Sequence, residues 1–179
     1  MRSMSNVPAF IPGVFLSAVA AFLLAPTLGR ELATRPVVAG LLAFCVGVVL
    51  SATVTPLRDA LEAGAVGTGE CDLSRLGLPP ASELRGINDT TLNIILFVPL
   101  GLVVGILPPT PRKAGAVAVA IALPFMVETV QLVVPVLARG CQSADVVDNL
   151  TGLFIGVALG TALGFVFRAR VRDRARLKS

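Results

Sequence analysis

Glu128 is the residue that most demands a chemical explanation, because it interrupts an apolar run from Ala114 to Leu137. A carboxylate at the centre of a membrane helix costs ~2.5 to 3.5 kcal/mol even on insertion scales, so it has to face protein and find a partner. Gln131 follows three residues later on the same helix face, and Pro124, one turn earlier, leaves a backbone carbonyl without its usual N–H partner. Another apolar run opens with Asp145, Asp148 and Asn149, and a third with Asn88, Asp89 and Asn93. Asp145 with Asn149, and Asp89 with Asn93, share the i, i+4 spacing that puts both side chains on one face. Such groups can take up or release a proton, and Arg139 can meet a phosphate or a carboxylate. Acids in a first helical turn also complement the helix dipole, which is their plain structural role. The chain contains no His, which removes serine triads, HExxH zinc sites and His-based relays. Its three Cys form neither a CxxC nor a Cys/His pattern, so no metal and no cofactor is expected.

The elements that must position these residues are apolar stretches at about Val7 to Thr27, Pro36 to Thr53, Thr91 to Leu107, Ala114 to Leu137 and Ala144 to Phe167. Each approaches the length that crosses ~30 Å of hydrocarbon. With 55% hydrophobic residues, 15% charged and a mean hydropathy of +0.86, the 179-residue chain reads as an all-α, polytopic membrane bundle of five transmembrane helices. Pro36 suits a first helical turn, Pro108 and Pro109 stop the third stretch, and Ser143 is expected to cap the fifth. The divisions are a first span with its inner loop (1–35), a second span (36–54), an outer loop (55–89), a three-span core (90–167) and a basic tail (168–179). A cleaved leader is the other reading of the first stretch, but Arg2 alone precedes it, whereas Arg30 and Arg35 follow.

Lys and Arg resist translocation in short loops. An outside N-terminus and a cytoplasmic C-terminus place Arg30, Arg35, Arg112, Lys113 and the basic residues from Arg168 to Lys178 inside. Arg2, Arg58, Arg75, Arg85 and Arg139 then lie outside, in a multi-pass protein of the plasma membrane. The pI near 9.6 reflects that placement, with no nucleic-acid partner implied. Thr55 to Asp89 is the longest polar segment; loops of this length are often functional, although a mobile connector with one amphipathic turn near Leu57 to Ala63 also accounts for it. Cys45, inside a span, is a packing residue. Cys71 and Cys141 both fall in outer loops, where disulfides persist, and are expected to pair. Gly152, Gly156, Gly160 and Gly164 recur every four residues, a small-residue stripe that lets a neighbouring helix approach closely, and Gly101 and Gly105 form a shorter one.

The string Leu92 to Gly101 (LNIILFVPLG), then Glu128-x-x-Gln131, Arg139, Asp145-x-x-x-Asn149-x-x-Gly152 and Gly156, resembles the VanZ-like family over roughly residues 88–160. The founding member of that family is associated with teicoplanin resistance. The resemblance implies a cell-envelope role and marks Asn93, Glu128, Gln131, Arg139, Asp145 and Asn149 as the polar positions to carry over. Cys141 and Asp148 depart from the family pattern.

Three functions fit this inventory. The first is a binding module whose outward polar pocket recognises a lipid headgroup, a lipid-linked cell-wall precursor or a glycopeptide, with membrane lipids as its surroundings. The second is an enzyme acting on an envelope lipid, with Glu128 as acid or base and Arg139 holding an oxyanion. The third is a small proton-coupled transporter with Glu128 as the coupling site. Set against all three is the reading that these polar groups only hold helices together. The pocket reading expects Asn93, Glu128, Gln131, Asp145 and Asn149 to line one cavity with Arg139 at its rim.

Overall fold

The computed structural model describes residues 9–56, 58 and 62–176, with the backbone alone for 168–176. Arg2, Lys178 and most of the expected turn from Leu57 to Ala63 lie outside the described residues. Among the described residues, five helices are long and apolar enough to cross a membrane: α1 (Phe10–Glu31), α2 (Pro36–Thr53), α3 (Asp89–Ile106), α4 (Pro111–Val133) and α5 (Ser143–Arg176), of which Ser143–Phe167 is the apolar part. The short strands β1 (Cys71–Asp72) and β2 (Cys141–Gln142) pair in parallel, and a 3-10 turn spans Pro135–Leu137.

Local chemistry sets the helix ends. Asn88 caps α3, its side chain accepting the Thr91 N–H at 2.9 Å while Thr91 Oγ1 accepts the Asn88 N–H at 3.0 Å. That reciprocal box satisfies two donors that would otherwise be orphaned. Thr110 caps α4 just ahead of Pro111, whose missing N–H costs nothing in a first turn. The fourth apolar stretch is not helical throughout: α4 ends at Val133, two residues before Pro135 opens the 3-10 turn. Ser143 is the first residue of α5, and its hydroxyl donates to the carbonyl of Arg75 at 2.8 Å instead of capping the helix.

The bundle has two packing seams, both built on small residues. Along α3 and α5 the backbones nearly touch: a Cβ added at Gly152 would strike the carbonyl of Ile94, one at Gly156 that of Val98, and one at Gly160 that of Leu102. The two helices therefore advance in step, parallel, with Gly101 and Gly105 pressed against Leu153, Val157 and Thr161 from the other side. Gly164 is buried farther along the same stripe. Between α1 and α2 the contact is reciprocal: a Cβ at Gly13 would meet Ser51, and one at Gly47 would meet Ser17. Each serine hydroxyl turns back onto its own helix, Ser17 to Gly13 and Ser51 to Gly47, both at 2.7 Å, so neither is left unpaired in apolar surroundings. Phe97, Leu100, Val104, Leu123, Val127 and Leu153 fill the core where α3, α4 and α5 meet, and Val49 joins them from α2.

Candidate functional site

The long segment between α2 and α3 is docked onto the turn between α4 and α5. The Gly67 N–H donates to Pro135 O at 2.7 Å, β1 lies beside β2, and Cys71 is disulfide-bonded to Cys141, their Cα atoms 4.6 Å apart. Four residues past Cys71, Arg75 reaches α5. Its Nη2 donates to Asp148 Oδ2 at 2.6 Å and to Ala144 O at 3.4 Å, Nη1 to Gly77 O at 3.2 Å, and Glu83 stands 4.0 Å from Nε. The hydrogen bond to Asp148 raises the pKa of Arg75, so this guanidinium stays charged. On the loop surface Asp72 accepts the Ser74 N–H at 2.8 Å, which holds its carboxyl below the ordinary range.

Beneath this cover the polar residues of the sequence pattern divide into two groups. Gln131 and Arg139 hold the end of α2. Gln131 Nε2 donates to Thr53 O at 3.0 Å, and Arg139 donates through Nε to Thr55 O at 2.9 Å and through Nη2 to Ala52 O at 2.8 Å. The last turn of α2 carries no basic residue of its own, so a guanidinium from beyond α4 supplies both the donors and the positive charge its carbonyl end favours. Ala138, in the left-handed region at φ 48°, turns the chain just before Arg139.

The second group is acidic. Glu128, 5% exposed, accepts the Gln142 N–H at 2.7 Å and thereby ties β2 to α4. Asp145 and Arg139 are both close enough to act electrostatically on Glu128, and Asp145 in turn feels Asp148, Asp89, Arg75 and Arg139. The first turns of α3 and α5 and the last turns of α4 are thus one charged neighbourhood. Asp148 and Asn149 are 0% and 1% exposed, and one oxygen of each, Asp148 Oδ1 and Asn149 Oδ1, is buried with no hydrogen-bond partner among the described residues. Asn93 lies one turn along α3 from Asp89 and is half-buried. An open surface pocket of about 210 Å³ sits above, with Glu70, Asp72 and Gln142 in its lining. Gln142 thus lines this pocket while its N–H is the one Glu128 holds.

Arg75 and Asp148 are not among the residues that the sequence pattern assigns to the site. The signal that finds them is the pairing of Cys71 with Cys141: once these are joined in parallel strands, the residues that follow each must run side by side toward the start of α5.

A five-helix membrane bundle, with buried acids gathered under a disulfide-pinned loop at one end, defines the class. The family is narrower: a model described as VanZ/LLP1 matches residues 42–164, more than half of the chain, and the protein belongs to this VanZ-like family. The match begins within α2 and so takes in the helix that Gln131 and Arg139 hold. No curated protein and no solved structure matches the chain.

Proposed function

We propose that this protein is a binding module of the plasma membrane, with its N-terminus outside and its C-terminus in the cytoplasm. In this reading the ends of α3, α4 and α5 under the loop recognise an envelope ligand: a lipid headgroup, a lipid-linked cell-wall precursor or a lipoglycopeptide antibiotic. The carrying observation is the pair of buried, unpartnered oxygens, Asp148 Oδ1 and Asn149 Oδ1. Leaving a buried acceptor unpaired costs ~1 to 3 kcal/mol, a cost that an arriving N–H or O–H donor offsets. The chemistry of the neighbourhood matches such a ligand better than an anion. Glu128, Asp145, Asp148 and Asp89 are acceptors, while Arg75 and Arg139 already donate to Asp148 and to backbone carbonyls. An ammonium group or a sugar hydroxyl fits, and the phosphate role that the sequence allows for Arg139 gains no support from its contacts with α2.

Native mass spectrometry of the purified protein with added teicoplanin, or with a lipid-linked disaccharide-pentapeptide, tests this reading. Glu128→Gln is expected to keep its melting transition, because the amide oxygen accepts the same Gln142 N–H, and to lose the complex at least about tenfold, or ~1.4 kcal/mol. If Glu128 serves only to tie β2 to α4, the substitution is silent in both measurements. The orientation is tested separately, by alkaline phosphatase fused after Ser179: the fusion is expected to be inactive, and an active one would turn the site to the cytoplasm.

The enzyme reading draws on Asp145, a second carboxyl in the same charged neighbourhood as Glu128. Turnover of the lipid-linked precursor by the unmodified protein, absent in Glu128→Gln and Asp145→Asn, would favour it over binding alone.

A further inference from the structure

At the opposite end of the bundle, the two seams leave a space between them. The α1–α2 hairpin rests on the core through α2 against α3, and α4 does not close over the remaining side. The result is a cavity of about 450 Å³ between the hairpin and the first turns of α4. Its walls are apolar: Leu42 and Val46 from α2, Leu100 from α3 and Leu123 from α4. It exists because α4 presents Gly115, Ala116 and Ala120 there, residues too small to fill it. Such a space is many times the ~30 Å³ of one water molecule, yet its walls offer water almost no partners, so an apolar occupant is favoured.

The mouth is charged. Arg112 and Glu31 line it, and Arg30, Arg35 and Lys113 stand at the same helix ends. Arg112 donates through Nη1 to Arg30 O at 3.1 Å, a contact that bridges α4 to α1 across the opening. Its Nε and Nη2 have no partner among the described residues and remain available to an acceptor. With one acid among these basic groups, the opening favours an anionic headgroup at the membrane surface.

We propose that this cavity is a specific site for one anionic glycerophospholipid, with an acyl chain between α2 and α4 and its phosphate on Arg112. Bound there, the lipid fills the gap that the protein leaves between its two helical units. The site is separate from the acidic neighbourhood at the other end, and its occupation depends on neither the ligand nor the orientation proposed above.

The test uses the full-length protein in phosphatidylcholine vesicles containing a small fraction of phosphatidylglycerol with a photoactivatable diazirine near the end of one acyl chain. After illumination, adducts are expected to concentrate on residues 42–46 and 116–123, roughly tenfold above the lipid-exposed face of α1 around Phe15 and Phe22. Gly115→Leu should reduce them by a similar factor without loss of folding, since a Cβ at that position meets nothing within 4 Å. Ala116→Phe should do the same from deeper in the cavity. Arg112→Gln should remove the preference over a zwitterionic probe carrying the same diazirine. Glu128→Gln should change nothing here, which separates failure of this proposal from failure of the binding reading above. Adducts spread evenly over α1 and the cavity would overturn the proposal. So would labelling unaffected by Gly115→Leu and Ala116→Phe, or a dimer in native mass spectra that those substitutions dissociate, which would mean a second copy occupies the space.

Discussion

Gly156→Leu is expected to lower both the melting temperature and the yield of folded protein sharply, whereas the same substitution at Gly115 leaves the yield intact. Both glycines sit in membrane helices, so helix propensity alone does not separate them; the space around them does. At Gly156 an added Cβ runs into the carbonyl of Val98 and the backbone of Gly101 and Leu102. These are main-chain atoms of α3 and no side-chain rotation relieves the overlap. Accommodating leucine requires α3 and α5 to separate along their whole contact, which also uncovers Phe97, Leu100 and Leu153 from one another. Ordinary overpacking costs ~1 to 3 kcal/mol where side chains can adjust, and a rigid backbone opposite puts the loss at the upper end or beyond it. Against a total stability of about 5 to 15 kcal/mol, that is enough to change the folded population. The measurement is the yield and melting temperature of the detergent-purified variant. An unchanged melting temperature would mean that the helices do not meet through this stripe.

The amino-acid sequence alone makes this seam legible, because a four-residue glycine period has few meanings in an apolar run. The seam between α1 and α2 rests on the same principle, but its signal is two isolated pairs, Gly13-x-x-x-Ser17 and Gly47-x-x-x-Ser51, which only the fold shows to be reciprocal. Helix spans are equally readable from apolar length. Their ends are less so, since Ser143 looks like a cap and instead bonds through its hydroxyl to a residue far away in sequence. The polar pattern picks out residues that are buried in the fold: Glu128, Gln131 and Asn149 are nearly inaccessible. What it lacks is direction. Helical spacing puts Glu128 and Gln131 on one face, yet one reaches β2 and the other α2, because the partners are backbone groups whose positions depend on how loops fold. Arg139 reads as a ligand for an anion for the same reason: nothing local reveals that the carbonyl end of α2 lies within its reach.

The loop supplies the second large effect. Arg75→Ala is expected to destabilise the protein by about 3 to 5 kcal/mol, the cost of leaving a buried charge without its partner. Asp148 is fully buried, its Oδ2 meets Arg75 at 2.6 Å, and its other oxygen has no partner to compensate among the described residues. Arg75 also braces the loop against Ala144 and Gly77, but those neutral contacts are longer and partly exposed, and account for the smaller share. The attribution is tested by rescue. Asp148→Asn removes the charge while keeping the shape, so the double variant Arg75→Ala with Asp148→Asn should recover most of the lost stability, and a thermodynamic cycle should show strong coupling between the two positions. If the pair merely decorates the loop, the two losses will add. The disulfide sharpens the comparison, because with Cys71 and Cys141 joined the loop stays tethered near α5 even when Arg75 is gone. A large effect of Arg75→Ala in the oxidised protein then reports the stranded carboxylate rather than a detached loop. The same variant bears on the binding site: it removes a positive charge that acts on Asp145, so a cationic ligand should bind the surviving folded fraction more tightly, and an anionic one less.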